Sequence, residues 1–158
     1  MIKYLLDTNI CIYLIRKNPP TIAQRFQSLR KGEVAISAIT WAELCCGIRK
    51  DGVGAVEALL SQLEVLPFDT DAGRLYGELT TRFPQRKASL DRMIAAHAIA
   101  SGSTLVTNNL ADFLLYQPAG LKVDNWVDDS AGPITAPHQQ QGNPGNRHRR
   151  HSSPSPPA

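Results

Sequence analysis

The chain has no CxxC pair and only 3 cysteines, of which Cys45 and Cys46 are adjacent. An odd, unspaced set excludes a disulfide framework, and three of the four histidines fall within the last 21 residues, so a zinc ligand set is missing as well. Such usage implies reduced thiols behaving as small hydrophobes in a reducing cytoplasm. Long apolar runs are also absent. The most apolar stretch, residues 34–48, contains Glu43 and is shorter than the roughly 20 residues that a membrane span needs. Near the N-terminus, Asp7 and Asn9 interrupt an apolar run where a secretory signal would continue. No membrane contact is expected. A large excess of one charge sign is lacking too: the formal net charge is +3, a balance that neither demands nor excludes a nucleic acid, and no basic stripe announces one.

What is present divides near Trp126. Residues 128–158 hold 6 of the 11 prolines, a Gln139-Gln140-Gln141 run and almost no large apolar side chain. Such a segment buries too little surface to offset its ordering entropy, so a low-complexity, disordered tail is expected there. Its cluster Arg147-His148-Arg149-Arg150-His151 reads as a solvated tail more simply than as an RNA contact. Residues 1–127 form the expected domain. Short apolar runs at 3–6, 34–37, 64–66, 104–106 and 121–123 read as strands. Helical patterns at 10–17, 21–30, 40–49, 53–63, 71–83 and 90–100 alternate with them, with Thr70 or Asp71 and Ser89 as caps and Gly102 as a stop. That alternation predicts an α/β fold: a three-layer α/β/α domain around a parallel, five-stranded sheet.

Oxygen ligands recur at one kind of place on this outline. Asp7 ends the first strand, Glu43 follows the second in the first turn of its helix, Asp91 opens the helix before the fourth, and Asn109 follows that strand. In a parallel sheet, strand carboxyl ends and helix N-termini share one edge, so the four can converge. Two carboxylates ~5 Å apart repel by about 3 kcal/mol at an effective dielectric of ~20. Three force raised pKa values or capture a cation, and Mg²⁺ or Mn²⁺ suits oxygen ligands that must leave room for a phosphate. Phosphodiester hydrolysis is the chemistry such a site would serve.

Each residue also has an ordinary explanation. Asp7 and Asp91 can cap or complement helix N-termini, Glu43 can face solvent, and Asn109 can be a turn residue. His97, six positions after Asp91, reads as a structural histidine, and Trp41 and Trp126 as core or interface. Arg86, Lys87 and Arg92 flank Asp91 and read either as phosphate-backbone ligands or as an exposed basic face. Thr8, Ser37 and Thr107 lie at the same strand ends, where hydroxyls can orient ligands. Apolar surfaces on the helices between residues 10 and 63 suit either core or a partner groove.

The runs Leu5-Leu6-Asp7-Thr8-Asn9, Thr40-Trp41-Ala42-Glu43-Leu44, Leu90-Asp91 through His97-Ala98 and Leu105 through Asn109 resemble a PIN domain in order and spacing. The ending Gly120 to Trp126 resembles the VapC toxins of bacterial toxin–antitoxin systems. That resemblance implies a Mg²⁺-dependent endoribonuclease cutting structured RNA, often tRNA, and slowing translation. It also implies a homodimer held inactive by a small VapB-like antitoxin, with DNA reached only through that partner. By position, Asp7, Glu43 and Asp91 match the three principal acidic residues, and Asn109 stands where the fourth is frequently Asp. Asp7 and Asp91 are then the expected direct metal ligands, with Glu43 and Asn109 acting through water. Asp112, three residues on, can compensate for the missing charge if it points inward. Two rival readings stand beside this one. A decayed site would leave a non-catalytic RNA- or partner-binding domain. A phosphatase using Asp7 as covalent nucleophile would ordinarily carry a second Asp two residues on, where this chain has Asn9.

Overall fold

Three short runs, Tyr4–Leu6 (β1), Val34–Ser37 (β2) and Thr104–Val106 (β4), build the middle of a parallel sheet completed by Glu64–Leu66 (β3) and Lys122–Asp124 (β5). The computed structural model describes residues 1–51, 53–87 and 89–127, with only the backbone described at 48–51 and 53. The expected tail, 128–158, lies outside the described residues. Strand order is β3-β2-β1-β4-β5. The chain therefore runs outward from β1 on one side, then returns to the other, and the switch point falls between β1 and β4. In register, Leu6 faces both Ile36 and Val106.

The central strands are apolar on both faces because helices cover both. Leu5, Ala35 and Leu105 point into a core shared with Leu79, Ile94, Phe113 and Tyr116. Their neighbours Leu6, Ile36 and Val106 point the other way, onto Ile10, Ile22, Leu44, Leu59 and Trp126. A period of two thus divides one set of strands between two cores, which makes the expected three layers. The second core takes Thr8–Arg16 (α1), Pro20–Gln27 (α2), Ala38–Asp51 (α3) and Val53–Leu60 (α4). The first takes Thr70–Arg82 (α5), Leu90–Ala100 (α6) and the short Leu110–Phe113 (α7), which a 3-10 segment at Leu114–Ala119 continues.

Local chemistry sets the element ends. Pro20 occupies the first turn of α2, where a missing N–H costs nothing. Ser89 caps α6 by accepting from the Arg92 N–H at 3.2 Å, as expected. The cap of α5 is Asp69, accepting from Ala72 at 3.0 Å, rather than Thr70 or Asp71: the carboxylate just before the helix already reaches a free N–H of its first turn. Gly102, at φ +66, closes α6 with two backbone bonds, its own N–H to Ile99 and that of Ser103 to Ala98. Only a left-handed residue permits that reversal into β4.

Two boundaries bear on function. Helix α1 begins at Thr8 rather than residue 10, because Asp7 caps it directly. Helix α3 starts at Ala38, immediately after β2, with the buried Ser37 hydroxyl accepting from the Ile39 N–H at 3.0 Å. Glu43 is consequently in the second turn of α3, not the first.

Candidate active site

Asp7 is fixed from three directions. Its N–H donates to the Val106 carbonyl at 2.9 Å, continuing the β1–β4 ladder one residue past the strand. Its Oδ1 accepts from the Thr8 N–H and its Oδ2 from the Thr107 hydroxyl, both at 2.8 Å. The carboxylate therefore caps α1 and also lies in the crevice at the switch point, where open α/β sheets bind ligands. The helix cap expected of it and its place in that crevice are compatible. At 4% exposure, Asp7 is taken out of water with no cation bound to it by a direct ion pair among the described residues.

The other acidic side chains approach from separate elements. Thr8 links the first to the second, its hydroxyl donating to Glu43 Oε2 at 2.5 Å. Asp91 comes from the first turn of α6, half-buried, and Asp112 from α7. Burial, first, and the negative charges of Asp91 and Glu43, next, push the Asp7 carboxyl up from 3.8 to about 6, against the opposing pull of its bonds to Thr107 and Thr8. Asp91 is also raised, by burial and then by Asp112 and Glu43, while Arg86 pulls it down. Asp7, Glu43, Asp91 and Asp112 thus share one field. They do not touch: among the described residues no three His, Cys, Asp or Glu side chains close into a cage for a metal ion.

Asn109 occupies the N-terminal end of α7 and is turned toward Asp112. Its side-chain amide donates to Asp112 Oδ2 at 2.6 Å, and its backbone N–H donates to Thr107 Oγ1 at 2.9 Å. A chain of bonds therefore runs from Asp7 through Thr107 and Asn109 to Asp112. Asp112 thus brings a negative charge that reaches Asp91, and Asn109 holds its carboxylate. An i, i+3 pairing on a helical turn is the sequence signal that anticipates this.

Other residues settle as follows. His97 is buried and shares a 2.8 Å bond between Nδ1 and Ser37 Oγ, and its burial holds it below the usual imidazole range. It is structural, as expected. Trp126 is core, edge-on to Tyr4, and Trp41 packs half-buried against the same side of the sheet. Arg92 fits neither expectation. It is 1% exposed and donates to Tyr116 Oη, Thr80 Oγ1 and the Phe83 and Arg86 carbonyls. The amphipathic turn of α6 that puts Asp91 at the pocket sends the next side chain inward. Arg86 remains at the surface, paired with Asp112 at 3.0 Å. Beside these carboxylates opens a cleft of about 360 Å³ lined by Asp91, Asp112, Arg86, Lys87, Ser89 and Tyr116. A larger groove, about 610 Å³, lies away from the carboxylates between α1, α2 and α4. All three cysteines are free thiols: the buried Cys11 is a small hydrophobe whose thiol burial pushes up, whereas Cys45 and Cys46 are exposed on α3.

Sheet order and the position of Asp7 define an open α/β protein with an acidic pocket at its switch point. Residues 4–114 match the PIN domain family. Ribonuclease VapC2 of Rickettsia felis is 38% identical over 132 residues, spanning 78% of this chain and 97% of that protein. The tRNA(fMet)-specific endonuclease VapC of Salmonella typhimurium is 36% identical over 134 residues, spanning 80% and 99%. The crystal structure of VapBC2 from Rickettsia felis bound to a DNA fragment from their promoter superposes with a TM-score of 0.70, covering 80% of this chain and 99% of that one. The chain belongs to the PIN domain family, among its VapC members.

Proposed function

We propose that this chain is a Mg²⁺-dependent endoribonuclease, the toxin of a VapBC-like toxin–antitoxin pair, hydrolysing phosphodiester bonds in structured RNA, tRNA foremost, and so slowing translation. One observation carries the reading: Asp7, buried at the switch point and held by Thr8 and Thr107, lies in the negative field of Asp91 and Glu43 with no ion pair among the described residues to offset it. A carboxylate in that state either keeps a proton or gains a cation.

The donor set fits Mg²⁺, with Mn²⁺ as the alternative. The candidate ligands all offer oxygen, and Mg²⁺ is bound through one or two carboxylates while keeping several waters, so a closed cage of three is not required. Asp7 and Asp91 would hold the ion directly, with Glu43, Asp112 and Asn109 reaching it through water. Bound there, it would supply charge for the phosphodiester oxygens and acidify an attacking water. The protein's own groups do the remainder. Thr8 and Thr107 fix the Asp7 carboxylate by one bond each to the strand-end turns. Glu43, with Oε2 taken by Thr8, uses Oε1 to orient the attacking water and accept its proton.

The named partners follow the same relatives. A VapB-like antitoxin would lie in the groove lined by Leu14, Ile15, Pro20, Phe26 and Leu59. DNA would be reached only through that antitoxin, and the toxin would act as a homodimer in the cytoplasm. No helix among the described residues is long and apolar enough to cross a membrane. The rival readings lose ground on specific residues. Asp112 restores the charge that a decayed site would lack, and Asn9 is exposed on the first turn of α1, where a phosphatase would need a second carboxylate.

The test is cleavage of total tRNA by the purified protein with Mg²⁺ or with chelator, alongside Asp7→Asn. Cleavage that needs Mg²⁺ and is lost in Asp7→Asn is expected. No cleavage under any condition, or cleavage indifferent to chelator and substitution, refutes the proposal.

A further inference from the structure

The cleft that holds Asp91 and Asp112 has a cationic wall of Arg86 and Lys87, and the Arg86 part of it is built. Residues 83–87 belong to the connection between α5 and α6, and the buried Arg92 grips it at two carbonyls, Phe83 at 3.1 Å and Arg86 at 2.6 Å. Arg92 itself is anchored to Tyr116 and Thr80, both at 3.2 Å. The backbone of Arg86 is thus tied to the core by a side chain that is 1% exposed. Its guanidinium is fixed as well. One nitrogen donates to Asp112 Oδ1 at 3.0 Å and the other to the Ala111 carbonyl at 3.2 Å.

Two contacts use only part of what a guanidinium offers. Five N–H donors lie in one plane, so anchoring one edge on α7 leaves another edge to present elsewhere. The Arg86 side chain is 47% exposed and lines the 360 Å³ cleft that also contains Asp91 and Asp112. A planar fork held in place beside metal-binding carboxylates matches a phosphodiester, whose non-bridging oxygens take paired N–H donors. Lys87 lines the same cleft, but among the described residues no ion pair orients it.

We propose that Arg86 is the phosphate anchor of the RNA site: Asp112 and the Ala111 carbonyl orient its guanidinium to grip a backbone phosphate of the substrate next to the bond that is cut. This rests on the ribonuclease reading above. It gives Asp112 a second task, since the same carboxylate faces the pocket and aims the anchor. A phosphate contact is blind to base identity, so Arg86 sets affinity and register, not sequence preference.

The test compares tRNA cleavage by the wild type, Arg86→Gln, Arg86→Lys and Lys87→Gln. A second arm measures tRNA binding in the Asp7→Asn background, with and without Arg86→Gln, across a series of NaCl concentrations. Arg86→Gln is expected to raise KM about 10-fold with kcat changed less than about 2-fold, the split of a group that binds substrate and transition state alike. The salt slope of binding should fall by roughly 0.7 to 0.9, one phosphate contact. Arg86→Lys, which keeps the charge and loses the fork, should fall between the two. Its KM carries the test if Arg86→Gln proves unstable. A lower KM, or less Mg²⁺ needed for half-maximal rate, would show that Arg86 plugs the acidic pocket and would overturn the assignment. Equal losses in Lys87→Gln would overturn it too, reducing the wall to a diffuse basic face. If no variant cleaves but binding still depends on Arg86, the nuclease reading fails and the anchor stands.

Discussion

Metal-free protein should become less stable as pH rises through the range where Asp7 ionises. Its carboxyl is pushed up from 3.8 to about 6, and its side chain is 4% exposed, so solvent screening removes little of the effect. A folded-state value above the unfolded one means that the folded state binds the proton more tightly. The stabilisation is therefore whole below pH 3.8 and gone above about 6. Two units at about 1.4 kcal/mol each come to about 3 kcal/mol, on the order of 10 °C in Tm for a domain of this size. His97 works in the opposite sense. Its pKa is held down by burial, so it stabilises the fold at high pH and loses that contribution as pH falls below 6.5. The two overlap, and the measurement has to separate them. Thermal melts from pH 4 to 8 in chelator should be compared between wild type and Asp7→Asn, which shares His97. The wild type should lose about 3 kcal/mol relative to the variant as pH rises through the window, and saturating Mg²⁺ should recover most of it. Parallel curves for the two proteins would refute the claim that Asp7 is a strained carboxylate.

Asn109→Asp should place a second carboxylate 2.6 Å from Asp112, lowering the metal-free Tm and enlarging its rise with Mg²⁺; an unchanged Mg²⁺ response in thermal melts would contradict the position given to Asn109. Arg92→Met should cost about 3 kcal/mol in urea unfolding, because Tyr116 and two loop carbonyls lose their donor. Arg25→Met should cost about 3 to 5 kcal/mol, since Asp124, whose Oδ1 has no partner among the described residues, keeps only Trp126 as a side-chain donor. Adding Asp124→Leu to Arg25→Met should return most of that loss, and a failure to do so would show that packing rather than charge was broken.

Much of this architecture is legible in the residue order. Leu5-Leu6, Ala35-Ile36 and Leu105-Val106 are doubly apolar pairs, and a strand buried on both faces demands helices on both. The three carboxylates were legible by position, because strand ends and helix starts share an edge whatever the side chains do. Direction was not. Arg92 looks like a surface residue beside Asp91, and only the pitch of α6 sends one outward and the other into the core. Asn109 and Asp112 show the same limit, since the fourth corner depends on which way a single turn of helix faces. Helix α7 itself spans 4 residues, too short for periodicity to show. The start of α3 at Ala38 was hidden because no turn separates it from β2.

The central claim is that Asp7 and Asp91 hold a divalent cation at the switch point of the sheet. Mn²⁺ titration followed by electron paramagnetic resonance addresses it without substrate, antitoxin or turnover. The wild type should quench the free-ion signal with a saturable site, competed by Mg²⁺, that is lost in Asp7→Asn and in Asp91→Asn. Undiminished binding in both variants would contradict the account.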